Sequence, residues 1–401
     1  MSRVRTGLES FLDPASDAAG LPRGARLGVV AHPASIDAGG RHLVDRLVRD
    51  GRFRVTRLFG PEHGVRGEAQ DMEAVAEPSD RATGLPIVSL YGNSAESLRP
   101  RPEHLKGLDA IVYDLQDVGT RFYTFVYTLS YVMEAAREAD MPVVVLDRPN
   151  PIGGLAVEGP VLDKAMASFV GRFPLPVRHG LTTGELAHLF RDAFAIGGDV
   201  RVVPMTGWTR DMHYEDTGLP WVLPSPNMPT LETARVYPGG CLIEGTNLSE
   251  GRGTTRPFEF VGAPWMDAAA FADVLAQSGD AEGLDGVLFR AAWFRPMFQK
   301  HAGRSCGGVQ VHVTDRLKAR PFATYLVLIR EARRHAPDRF DWRRETYEFV
   351  DDRLAIDLLL GRTDLRPMLE AGAPLADMEA AWAPGLSRFL ADRERVLLYA
   401  P

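Results

Sequence analysis

Cysteine is scarce in this chain: 401 residues contain two, Cys241 and Cys306, far apart and in no metal-type spacing. That excludes a disulfide framework and a cysteine-built zinc site, and leaves at most one bridge between them. No apolar run is long enough to cross a bilayer, and the opening stretch MSRVRTGLESFLDPASDAAG lacks the apolar core of a secretory signal. The expectation is a cytoplasmic protein without an integral membrane segment. Basic charge is also in short supply. Lys and Arg number 46 against 53 Asp and Glu, so the net charge is -7 and the surface offers nothing to a polyanion. Nucleic acid is not an expected partner. No G-x-G-x-x-G follows the first apolar run, no Gly-Lys-Ser/Thr ending occurs, and no H-E-x-x-H pairs the scattered His63, His179 and His301. Neither a nucleotide cofactor nor a metal is expected.

What is present has the make-up of an ordinary globular protein, with 45% hydrophobic and 25% charged residues. The length exceeds what one compact core usually serves, so two domains with a cleft between them are expected. From residue 26 onward, short runs rich in Val, Ile and Leu alternate with longer amphipathic stretches. They are LGVVAHP from Leu27, FRVTRLFGPEHG from Phe53, IVSLYG from Ile87, AIVYDLQD from Ala110, PVVVLDRPN from Pro142 and VRVVPMTG from Val200. Such alternation predicts a parallel sheet with crossover helices at 41–50, 124–139 and after the Thr-initiated TTGELAHLFRDAFAIGG. Beyond residue 206 the proline-rich PWVLPSPNMPT leads into a glycine-dense segment, which places a domain boundary near 235. Residues 1–235 then form an α/β domain. Residues 236–401 form a smaller α/β domain with a strand at GGVQVHVTD and helices at 321–334 and 352–360.

In open α/β sheets ligands bind beyond the carboxyl ends of the strands; two constellations gather there and a third lies in the glycine-dense segment. Gly60-Pro61-Glu62-His63-Gly64 puts a carboxyl and an imidazole on a tight turn at a strand end. The plainer reading makes Glu62 a helix cap or a partner of Arg66. Asp114 to Tyr123, DLQDVGTRFY, gathers carboxylates, an amide, a guanidinium and aromatic rings, a set suited to a sugar. Its plainer reading is a buried Asp117–Arg121 pair that pins the loop. Glu244 to Thr255, EGTNLSEGRGTT, interleaves charged and amide side chains with glycines that let a backbone come close to a ligand. An exposed, structurally trivial turn is the alternative there. Met228 and Trp221 read as packing residues.

Together with TGLPIVSLYG, VVLDRPNPIGG, VEGP, RHGLTTGELA, PSPNMPT, YPGGCLIEGTNLSEGRGTT and PFEFVGAPW, these stretches run in one order along nearly the whole chain. In that order the sequence resembles the NamZ/YbbC-like family of exo-β-N-acetylmuramidases. The resemblance implies a Rossmann-like N-terminal domain, a smaller C-terminal domain and an active site in the cleft between them, without a nucleotide cofactor. It also implies release of terminal N-acetylmuramic acid from β-1,4-linked, peptidoglycan-derived disaccharides or short glycans, as in cell wall recycling. Family members are often exported.

Cleavage of a glycosidic bond takes a carboxylic acid near the leaving oxygen and usually a second carboxylate. Glu62, with His63 beside it to tune its protonation, is the expected acid. Asp117, Glu244 and Glu250 are the choices for the second carboxylate, Glu244 preferred. An arginine fork suits the lactyl carboxylate of muramic acid, and Arg121, Arg178 and Arg252 are the candidates, Arg252 first. Its plainer reading is a tie from Arg252 to Glu250 or Glu244. Asn227 and Asn247 are the expected amide contacts to the sugar. Two rival readings remain at this stage: a sugar or peptidoglycan-fragment binding protein that uses the same cleft without turnover, and a nucleotide-dependent dehydrogenase or transferase, which the missing glycine fingerprint disfavours.

Overall fold

A computed structural model describes residues 3–67, 79–92 and 94–401. The expected apolar runs all become strands: β1 (Arg26–Ala31), β2 (Arg54–Gly60), β3 (Ile87–Ser89), β4 (Ala110–Asp114), β5 (Val143–Leu146) and β6 (Val200–Val203). They pair in parallel in the order β3-β2-β1-β4-β5-β6. The chain order therefore reverses between β1 and β4, the doubly wound arrangement in which loops diverge above the strand ends.

Both faces of this sheet are covered, which is why its strands read as continuous apolar runs rather than alternating ones. Val30, Ile111, Tyr113 and Val145 point into a core shared with α4 (Phe125–Glu138) and α5 (Thr183–Asp192). Leu27, Val29, Val112 and Val144 point the other way, toward α1 (Gly7–Phe11) and α2 (Leu43–Asp50). The expected Thr cap is present: Thr182 and Glu185 form a capping box at the start of α5. The helix stops at Asp192, before the glycines, because Ala195 already takes a left-handed backbone. A short α3 (Pro102–Leu105) precedes β4.

The second half is built differently. Its sheet has three antiparallel strands, β7 (Phe260–Ala263), β8 (Val287–Phe294) and β9 (Cys306–Val313), in the order β7-β9-β8. Gly308 lies at the centre because a side chain there would meet the Val261 carbonyl at 2.0 Å. Around this sheet run α6 (Leu231–Gly240), α7 (Ala268–Ala281), α8 (Pro321–His335), α9 (Ala355–Leu360), α10 (Leu365–Glu370) and α11 (Leu375–Glu394). Residue 235, the expected boundary, falls inside α6, and the largest apolar cluster continues from Val30 to Val396 across both halves. Both cysteines are buried and no disulfide joins them, so the bridge left open by the sequence does not form. No helix among the described residues is long and apolar enough to cross a membrane.

Candidate active site

The site assembles over the carboxyl ends of β2 and β4, where the second half of the chain closes down on the loops. β2 ends at Gly60 and the chain turns sharply through Pro61, Glu62, His63 and Gly64. His63 takes a φ of 73°, a left-handed backbone that a residue with a Cβ seldom adopts. Such strain persists only where the surroundings hold it, and functional turns are where it is usually found. The turn delivers Glu62 to a buried position, 6% exposed. There its Oε2 accepts a 2.7 Å hydrogen bond from the Thr124 hydroxyl, at the start of α4. Among the described residues no ammonium or guanidinium pairs with Glu62, and Arg66, its expected rival partner, binds Asp80 and Asp45 instead.

Opposite Glu62, Glu244 projects from the short 3-10 turn Cys241–Gly245 that follows α6. Its Oε1 accepts from Arg252 Nη1 at 2.6 Å and its Oε2 from the Tyr347 hydroxyl at 2.7 Å. Burial, with Glu244 close by, pushes the Tyr347 phenol well above its ordinary range, so Tyr347 stays the donor. Arg252 also reaches Glu250 Oε1 at 3.4 Å, and Lys300 Nζ holds Glu250 Oε2 at 2.9 Å. Burial alone would raise the Glu250 carboxyl, but Lys300 and Arg252 outweigh it and bring it down to about 2. The guanidinium of Arg252 lies 4.9 Å from the centre of the Phe258 ring.

Between these walls is a cavity of about 510 Å³, part of it open to solvent. Its polar lining includes Glu62, His63, Ser225, Asn227, Glu244 and Arg252. Its apolar side is a run of rings at right angles: Tyr123 against Phe125 at 4.9 Å, Tyr123 against Tyr237 at 5.8 Å and Tyr237 against Phe258 at 4.8 Å. Carboxyl and amide groups beside aromatic faces are what a pyranose needs for its hydroxyls and its apolar C–H face.

Of the residues singled out in the sequence, Glu62, His63, Asn227, Glu244 and Arg252 share this cavity. Glu250 and Asn247 line a wider adjoining groove that shares Glu244 and Arg252 with it. Asn247 Nδ2 is committed to the Arg339 carbonyl at 2.7 Å. Three candidates lie elsewhere. Asp117 is not on the cavity wall: its Oδ2 accepts from the Gly119 amide at 2.8 Å and lies 3.4 Å from His179 Nε2, so it braces its loop. The envisaged Asp117–Arg121 pair does not form. Arg121 is fully buried and gives its Nη groups to the carbonyls of Pro160, Leu175 and Leu359, and burial pushes its guanidinium down to about 10. It clamps loops of both halves and cannot reach a sugar. Arg178 donates to the Ile152 carbonyl and lines a separate small cavity.

The glycines of the third constellation also serve a different purpose from the one expected. A side chain at Gly253 would meet the Phe298 and Met297 amides at 2.6 and 2.7 Å, and one at Gly251 the carbonyls of Arg256 and Phe260 at 2.9 Å. They bring backbone to backbone, not backbone to ligand. The sequence reading missed Tyr347 and Glu348, which reach the cavity from a turn where Glu348 and Phe349 both take positive φ, at 46° and 67°. A Tyr-Glu pair in RRETYEFVDD carried no spacing signal that could have marked it. It also missed Thr124 as the partner of Glu62, although FYTF was in view, and set aside Met228, which lines the cavity.

Comparison with known proteins decides where this arrangement belongs. Residues 27–232 match the family model described as exo-β-N-acetylmuramidase NamZ, N-terminal, and residues 235–399 its C-terminal counterpart. The chain belongs to the NamZ family. It is 44% identical over 397 residues to the peptidoglycan β-N-acetylmuramidase NamZ of Bacillus subtilis (strain 168), covering 99% of this chain and 92% of that protein. Two solved structures of DUF1343 family proteins from Bacteroides fragilis NCTC 9343 have the same architecture. One has a TM-score of 0.86 at 33% identity over 99% of both chains. The other has 0.75 at 29% identity, over 100% of this chain and 99% of that one. The NamZ family match thus spans both halves of the chain, the parallel sheet and the antiparallel one.

Proposed function

We propose that this chain is an exo-acting glycoside hydrolase that removes N-acetylmuramic acid from the non-reducing ends of peptidoglycan-derived disaccharides and short glycans. One observation carries the assignment of roles. Two buried carboxyl groups face one cavity in opposite settings: Glu62 held by a single neutral hydroxyl, Glu244 by a guanidinium and a phenol. Environment is what divides labour between paired carboxyls.

Glu62, met by the Thr124 hydroxyl and by no cation among the described residues, is the group placed to protonate the oxygen of the departing sugar. Glu244, bonded by Arg252 and Tyr347, is placed to stabilise the positive charge that builds at the anomeric carbon. Of the three arginines considered, Arg252 is the one on the cavity wall, so it is also the group placed to meet the lactyl carboxylate of muramic acid. The aromatic side of the cavity packs the ring face.

Purified protein incubated with the MurNAc–GlcNAc disaccharide and with para-nitrophenyl β-N-acetylmuramide should release N-acetylmuramic acid from both. The corresponding N-acetylglucosaminide should be left almost untouched. Equal rates on the two nitrophenyl glycosides would reject the muramic acid assignment, and ligand binding without any sugar release would reject catalysis.

A further inference from the structure

Arg178 stood out in the sequence and the active site did not absorb it. It lines a second, much smaller cavity, of about 220 Å³ with part of that space open to solvent, where the two halves of the chain meet. Ile152 and Arg178 come from the first half and Arg235 from α6. Val313 at the end of β9 and Arg316 just beyond it come from the second half, and His213 completes the ring.

The hydrogen bonding of this ring is one-sided. Arg178 spends Nη2 on the Ile152 carbonyl, and its buried Nε has no partner among the described residues. Arg235 gives its Nη groups to Glu215 and Glu232, and its buried Nε is likewise without a partner. Arg316 is tied to Glu215 and to Asp216, the latter at 2.9 Å. His213 is 5% exposed, and its Nδ1 also has no partner. Arg178 is 6% exposed, so its guanidinium has little access to bulk water. Glu158 stands beside Arg178 on the neighbouring strand-like segment but does not bond its side chain.

Buried N–H groups left unpaired are costly, and each asks for an acceptor. Three guanidiniums surround the His213 ring, with Glu215 and Asp216 as the carboxylates beside it; burial, together with those cations, brings the imidazole down to about 4. The imidazole is therefore neutral at physiological pH, able to present one N–H to an acceptor while adding no charge of its own. We infer that this cavity is a binding site for a small inorganic anion of halide size, held by the Nε–H groups of Arg178 and Arg235 and by His213. An anion accepts from all three donors at once, whereas a water molecule has two lone pairs. Since the ring draws residues from both halves of the chain, the bound anion ties them together.

Two measurements on the full chain test this, with sodium bromide as the probe. In bromide-soaked crystals, an anomalous difference peak is expected inside the ring, in contact with Arg178 and Arg235. In solution, replacing gluconate by bromide at constant ionic strength should raise the melting temperature by about 2–4 °C, as expected for a ligand bound only to the folded state. The increment should vanish in Arg235→Gln, which keeps an amide but loses the guanidinium Nε. A cavity holding water alone with no bromide peak overturns the proposal, as does an equal bromide increment in wild type and Arg235→Gln.

Discussion

The two walls of the active-site cavity solve the same problem, a buried carboxyl, in different ways. On the first-half wall, Glu62 hangs from a strained turn and is met by one hydroxyl, from Thr124. On the second-half wall, Glu244 and Glu250 are threaded through Arg252, Lys300 and Tyr347 into a continuous ionic network. A hydroxyl adds no charge beside a carboxyl, while neighbouring cations favour its ionised form, as Lys300 and Arg252 do for Glu250. On the roles proposed above, the difference teaches how the fold can separate an acid from an electrostatic stabiliser: each half of the chain provides one. It also explains why the second-half wall is so densely bonded. Breaking one link there leaves a buried charge behind.

The sharpest way to break the comparison is Glu62→Gln, which keeps shape and the Thr124 contact but removes the transferable proton. Turnover of MurNAc–GlcNAc should fall by about two to four orders of magnitude, with less loss on the nitrophenyl glycoside, whose leaving group needs little protonation. Full activity on both substrates would move the acid elsewhere. Melting temperature should stay near wild type, because Glu62 is not part of an ion pair.

Arg252→Ala attacks the other wall and should do what Glu62→Gln does not. It strips Glu244 of its cation and Glu250 of one of two, so unfolding experiments should show a loss of about 3–5 kcal/mol, the usual result of removing one member of a buried pair. Activity should fall as well. A variant with native stability and a changed selectivity between the muramide and the glucosaminide would mean that Arg252 reads substrate only and does not hold the wall.

The network should also leave a signature in acid. Glu250 titrates near 2 in the fold against an ordinary carboxyl value of 4.5. Between those values the unfolded chain binds more protons than the native one. Stability is therefore present above about 4.5 and is lost as the pH falls toward 2. Glu250→Gln should flatten the pH dependence of the melting temperature across that window; an unchanged slope would show that Lys300 and Arg252 do not stabilise the ionised form. The smallest expected effect is that of Thr124→Val, which removes the lone hydroxyl from Glu62. About 1 kcal/mol of stability should be lost. The same substitution should change the pH–rate profile of MurNAc–GlcNAc cleavage. A profile that does not move would mean the Thr124 contact is not made in solution.

How much of this could be read from the chain alone differs between the halves for a physical reason. The six strands of the first sheet were legible because a strand buried on both faces is a continuous run of Val, Ile and Leu, and Glu62 was legible because it follows such a run in a Gly-Pro-bounded turn. The antiparallel β8 alternates buried and exposed residues over a short span and was not placed. Tyr347 lies about a hundred residues from Glu244 and meets it only through folding.

What the sequence by itself determined was local: which segments become strands and helices, which loops leave their carboxyl ends, and, through an ordered series of motifs, the family. The tertiary structure alone decided partnership. Asp117, Arg121 and Arg178 have the same chemistry as Glu244 and Arg252 and lie in equally suggestive loops. Yet Arg121 ends among carbonyls, Asp117 beside His179, and Arg178 in the small cavity at the junction of the halves. The side-chain type says what a group can do. Its burial and its neighbours, which come from distant parts of the chain, settle whether it meets a substrate or holds the fold.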